Sequence, residues 1–220
     1  MTDYEPVDIS RWCNSGVEVI PGERLPGPTS PSDGGRSRPR PSLELPLGRQ
    51  HFRGLPFLLG TAADPDPTRC LITLDGATAP LTVALGGMAR RVIIAHRMLE
   101  TRLPDGGPLG VPVADYVFRL EGGLEIVAPI RERFEIAAGQ MFGPIPGVPG
   151  EPFLAVTDVG HSLAPRHEGS WDEMAGRQME VVQARRRHFY LWSWPNPDPD
   201  LAVESVTIVP KGPEFVIAAV

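Results

Sequence analysis

Two stretches of this sequence hold side chains whose types and spacing invite chemistry. The first, TDVGHSLAPRHE, places Asp158, His161, His167 and Glu168 within a dozen residues. Carboxylate and imidazole groups this close are ligands for a divalent metal, and a metal-dependent hydrolase could draw its site from Asp158, His161 and His167. The spacing matches no zinc signature, and Pro165 keeps the two histidines off a common helical face. A solvated loop with two histidines is the plainer reading. The same stretch contains Gly160-His161-Ser162-Leu163-Ala164, a loose likeness to a nucleophile elbow. Ala164 stands where the closing glycine belongs, and Pro165 stands where a helix would begin, so Ser162 is not read as a nucleophile.

The second stretch is aromatic. Trp192 and Trp194 alternate along HFYLWSWP, so a strand here puts both indoles on one face. Exposed, such a pair stacks on the apolar C–H faces of sugar rings; buried, it packs the core or the Asn-Pro turn that follows. Tyr116 and Asn196 complete the candidate ligand set, with Trp12 and Trp171 as looser additions. His96 lies inside an apolar run and reads as a hydrogen-bonded core histidine. The sequence shows no Gly-rich phosphate loop and no cysteine pair with zinc spacing, and no cofactor is expected.

The elements that must position these residues follow from composition. The 220 residues include 24 glycines and 26 prolines, about twice the ordinary share. Proline removes a backbone donor and glycine costs backbone entropy, so long helices are excluded. Hydrophobic residues make up 41% and cluster in runs, which argues against disorder. VADYVFRL and LEIVAPI flank Glu121-Gly122-Gly123 and read as a tight hairpin, with Tyr116, Phe118 and Leu120 on one face of the first strand and Leu124, Ile126 and Ile130 on one face of the second. CLITL and PLTVAL read as a strand pair turned at Asp75-Gly76, and RRVIIAHRM as a further strand. VDISRWCNSGVEVI reads as one or two short strands, and the last two apolar runs as two more. Residues 21–48, with seven prolines and four arginines, form a long surface loop. The sum is a single all-β domain over residues 1–220: an antiparallel β-sandwich of jelly-roll type with long Pro/Gly-rich loops and at most one short helix. The apolar ending at Ile217–Val220 favours one piece of a longer polypeptide over a natural terminus.

The formal net charge of −6 gives no general attraction to nucleic acid or to an anionic membrane surface. No apolar run is long enough to span a bilayer, and the acidic start lacks a signal-peptide pattern, which points to the cytoplasm. There, Cys13 and Cys70 are expected as thiols more than as a disulfide.

Three segments in order, GRQHFRGLPFLLG, VIIAHRMLETRLPDGGPLGVPVADYVFRLEGG and HFYLWSWPNPDPDLAVESVTI, resemble the galactose-binding-like jelly-roll domain at the N-terminus of some bacterial glycoside hydrolases and related hydrolases. Gly48, Arg49, Gln50, Phe52, Gly54, Pro56 and Phe57 match its first element; His96, Tyr116, Trp194, Asn196, Pro197 and Pro199 match the others. The likeness covers residues 48–210. It implies a β-sandwich that packs on a catalytic hydrolase domain or subunit and holds a carbohydrate, without chemistry of its own. The alternatives are a metal-dependent hydrolase fragment using Asp158, His161 or His167, and an interaction module using the arginine-rich loop.

Overall fold

Eleven strands account for most of the chain seen in the computed structural model, which describes residues 4–20, 47–52, 55–102, 105–108, 110–132, 134–138, 178–181 and 188–220. They are β1 (Gly48–Phe52), β2 (Leu55–Leu59), β3 (Ile72–Leu74), β4 (Leu81–Met88), β5 (Arg91–Met98), β6 (Pro112–Leu120), β7 (Glu125–Arg131), β8 (Gln178–Val181), β9 (His188–Pro195), β10 (Ala202–Pro210) and β11 (Phe215–Ala219). The only helical turns among the described residues are of the 3-10 type. None is long and apolar enough to cross a membrane.

The strands form three antiparallel layers. One sheet has the order β4-β10-β6-β7, a second the order β3-β11-β5-β9-β8, and β1 pairs β2 in a separate ribbon. The two larger sheets face each other and make an all-β sandwich. Their shared core takes alternate residues from each strand: Val92, Ile94 and Met98 of β5, Tyr116, Phe118 and Leu120 of β6, Val203, Val206 and Ile208 of β10. The ribbon covers the other side of the five-stranded sheet. Phe52, Leu55, Phe57 and Leu59 pack there on Ile93, Ala95, Phe189, Leu191 and Val216. The central sheet is therefore buried on both faces. That is why β5 and β11 read as continuous apolar runs rather than alternating ones: every residue of β11 is buried.

The hairpin expected at Glu121-Gly122-Gly123 is present. Phe118 pairs with Ile126 and Arg119 with Glu125, and both glycines adopt positive φ (81° and 83°), which residues with a Cβ resist. Tyr116, Phe118 and Leu120 share the inner face with Ile130, while Leu124 is half exposed. β5 is a strand, as its β-branched run predicts.

Two expectations are corrected. β3 and β4 do not pair with each other. The turn at Asp75 is closed by Thr78 bonding the Asp75 carboxylate, and Gly76 N–H donates to Gly212 O, so the chain leaves one sheet and enters the other. β3 pairs β11 and β4 pairs β10. The N-terminal stretch is not a strand pair: it forms 3-10 turns at Ser10–Trp12 and Val17–Val19 and one isolated bridge, Ser15 to Leu71. Burial of Ile9 in the main core and Ile20 in the second core anchors it in place of a ladder.

Candidate functional site

Register brings three of the sequence-picked residues together. His96 pairs across from Tyr190, and Ile94 from Trp192, so His96 and Trp192 lie on the same face of neighbouring strands. That face is the inner one. Tyr116 meets them from the opposite sheet and is fully buried. Its ring lies edge-on to Trp192 at 5.7 Å between centroids. Trp194 stacks flat on Phe118, with centroids 3.8 Å apart and planes 5° apart. Trp192 is 9% exposed and Trp194 5%. The two indoles share a face as their alternation requires, but the face is turned into the sandwich, so neither offers a platform to solvent. Trp12 is half-buried and carries the Arg11 guanidinium 3.7 Å above its ring.

The hydrogen bonds of His96 fix its protonation. Nε2 lies 2.9 Å from the Glu135 carbonyl, which only accepts, so Nε2 carries the proton. Nδ1 then accepts from the Tyr116 hydroxyl at 2.8 Å. Both ring nitrogens and the phenol are satisfied in a fully buried interior. Burial pushes the imidazole from its ordinary 6.5 down to about 4 and raises the Tyr116 phenol well above 10. The pair is a neutral structural bridge between sheets.

Asn196 is also structural. Its Nδ2 donates to Ala89 O at 3.0 Å and to Leu201 O at 3.3 Å, its Oδ1 accepts from Asp198 N–H at 3.1 Å, and its own N–H donates to Arg90 O at 2.9 Å. The side chain thus clamps the corner between β4 and β5. Asp158, His161 and His167 lie outside the described residues, as do Ser162, Glu168 and Trp171. Among the described residues no group of three or more His, Cys, Asp or Glu side chains is placed to hold a metal. Cys13 and Cys70 are free, and they belong to different cores, one on each side of the central sheet.

The corner clamped by Asn196 forms one wall of a cleft of about 930 Å³. Gly86 adopts φ 66° in β4, and the register of β4 with β10 shifts there. Such a bulge bends the strand locally. The opposite wall is the N-terminal segment, held by Val7 N–H donating to Val220 O at 2.8 Å. The apolar floor includes Phe57 and Ile93, and the rim carries Glu5, Asp8, Met88, Arg90 and Arg91. Met88 is 63% exposed. The Asp8 carboxyl is held below its usual value by hydrogen bonds from Ser10.

Sequence reasoning did not find this cleft. Its charged residues come from positions 5–8 and 88–91, and no local motif links them. The legible traces were Gly86-Gly87, a break inside an otherwise strand-like run, and the adjacent Arg90-Arg91 pair. Comparison with family models, with curated proteins and with solved structures returns no match to this chain.

Proposed function

We propose that this chain is a non-catalytic β-sandwich accessory domain or subunit of a carbohydrate-directed hydrolase, on the jelly-roll plan of galactose-binding-like domains. The motif residues that suggest the family take scaffold positions: His96 and Tyr116 bridge the sheets, Trp194 packs the core and Asn196 clamps a corner. Residues committed in this way serve to hold a fold rather than to move protons.

The observation that carries the reading is the outer face of the four-stranded sheet. One row crosses all four strands: Thr82, Thr207, Val117 and Val127. Its side chains are small and uncharged, and Val127 is 56% exposed. Charge pairs flank the row, Arg119 with Glu204 on one side and Lys211 with Asp115 on the other. A flat uncharged strip inside a polar rim has the anatomy of a docking surface, here for the catalytic unit.

The test is a photo-crosslinking residue at Val127, with the protein expressed in its native cell. The expected product is a crosslink to a glycoside hydrolase catalytic unit, in the same polypeptide or a partner. Crosslinked products that contain no hydrolase would overturn the reading.

A further inference from the structure

We infer that this chain pairs with a second copy of itself through the free edge of β4, in an antiparallel two-fold register centred on Val83 that joins the four-stranded sheets of both copies into one. The pairing is independent of the carbohydrate-directed reading above.

The phase of the ladder shows which backbone groups face outward. Leu120 N–H donates to Leu124 O, toward β7, at 2.8 Å. Backbone groups alternate sides along an antiparallel strand, so Arg119, Val117 and Asp115 of β6 point toward β10. Lys211 N–H, which donates to Val113 O at 2.8 Å, keeps the same phase. The partners Ser205, Thr207 and Val209 point back to β6, which leaves Val206 and Ile208 to bond β4 opposite Val83 and Leu81. Thr82 and Ala84 therefore aim their N–H and C=O groups away from the sheet. Both residues are exposed, and among the described residues no strand lies on that side.

Two other outer strands are closed. Along β3 the Asn14 side chain takes the place of a neighbouring strand: Nδ2 donates to Thr73 O at 3.0 Å and Oδ1 accepts from Thr73 N–H at 2.8 Å. On β7 the outward position at Pro129 has no N–H, and Arg131 N–H is taken by the Glu135 carboxylate at 3.0 Å. β4 carries no such device between Leu81 and Leu85. No charged residue occurs from position 76 to 89, and no proline lies inside the strand. The bulge at Gly86 ends this regular stretch rather than interrupting it. An uncharged edge with unpaired backbone groups is a template for a further strand.

The stretch is complementary to its own copy. About a two-fold axis at Val83, Thr82 faces the partner's Ala84, and Ala84 faces the partner's Thr82. Each facing pair exchanges both N–H···O=C bonds, so every outward donor meets an acceptor. On the inner face Leu81 lies opposite the partner's Leu85, and both are only half-buried in the single chain. With no charge on the edge, two chains of net charge −6 meet without like charges in the new ladder. The contact is isologous and closes at two copies. Both outer sheet faces stay on one side, so the surface at Val127 remains open.

The experiment measures the mass of the full chain by sedimentation equilibrium and light scattering over a concentration series. A reversible monomer–dimer equilibrium that stops at the dimer is expected. Ala84→Pro removes an outward N–H that the single chain does not use, so the fold is kept, as thermal unfolding checks, while the dimer loses a bond from each copy. Its association should weaken by about tenfold or more. A second variant, Thr82→Lys with Ala84→Lys, leaves the backbone donors in place but sets like charges directly opposite across the pair, and should also dissociate the dimer; it decides the matter if the proline variant does not fold. Val127→Asp, on the outer face of the distant strand β7, should dimerise like the wild type. A monomer at every concentration, assembly that grows beyond two copies, a dimer unweakened by the β4 substitutions, or one dissolved by Val127→Asp overturns the inference.

Discussion

His96 and Tyr116 join the two sheets through one hydrogen bond in which the phenol donates to Nδ1 at 2.8 Å. The direction is forced from the far side of the ring, where Nε2 must donate to the Glu135 carbonyl. A protonated imidazole would place a positive charge in a fully buried site and turn the Tyr116 phenol from donor to acceptor, leaving its own proton to find another partner. The bond therefore ties the sandwich to the neutral state of one histidine.

Stability should consequently fall on mild acidification. The folded-state value for His96 is about 4 and the unfolded one about 6.5, so the unfolded chain binds the proton first. The contribution of neutral His96 is complete above pH 6.5 and is lost progressively as pH drops toward 4. Its full span is on the order of 3 kcal/mol. Urea unfolding of wild type and His96→Gln at pH 7.5, 5.5 and 4.5 measures it. The wild-type advantage should shrink across this series, and an advantage constant with pH would refute the assignment.

Tyr116→Phe leaves Nδ1 of a buried ring without its donor, in a core that offers no replacement. The expected cost is about 1–3 kcal/mol, well above a surface substitution. Denaturant midpoints at pH 7.5 give it directly. A change near zero would mean that the bond contributes nothing net to the fold.

Trp194→Ala removes an indole stacked on Phe118 and opens a cavity between the sheets. Destabilisation by about 3–5 kcal/mol is expected. Trp192→Ala should behave alike, since its ring also meets His96, Tyr116 and Phe118. An indole serving as a sugar platform would show the opposite pattern, with affinity lost at unchanged melting temperature.

Period-two alternation was enough to read several of the strands, because side-chain direction along a strand depends only on neighbours; it misread the N-terminal stretch, which forms 3-10 turns. It gave the hairpin at Gly122-Gly123 and the common face of Trp192 and Trp194. It could not tell which face was inward. That depends on the ribbon at Gly48–Phe52 and Leu55–Leu59 covering the far side of β5 and β9, contacts between residues far apart in the sequence. The false pairing of β3 with β4 has a similar origin. An Asp-Gly turn is a local signal, but partner choice was decided by β10 and β11, at the other end of the chain. The cleft was hidden for the same reason, since Glu5 and Arg90 become neighbours only after the sheets assemble.

Asn196→Ala should loosen the β4–β5 corner more than it lowers global stability. Two carbonyls, of Ala89 and Leu201, lose their side-chain donor and Asp198 N–H loses its acceptor. About 1–3 kcal/mol is expected from groups left partly unsatisfied. Hydrogen exchange should quicken at the Arg90–Val92 amides while Tyr116 and Phe118 stay protected. Uniform acceleration across both sheets would show that Asn196 supports the whole fold rather than this corner.

Cys13 and Cys70 should resist thiol reagents until the protein unfolds. Each is buried, and burial pushes both thiols up to about 11, so almost no thiolate exists at neutral pH. The positive group of Arg69 pulls Cys13 the other way but does not outweigh desolvation. Both are free thiols, Cys13 packed in the main core and Cys70 in the second. Labelling with an aromatic disulfide reagent should release no chromophore from native protein within minutes and two equivalents in denaturant. Rapid labelling of the native chain, or a mass two daltons low under non-reducing conditions, would contradict this placement of the cysteines.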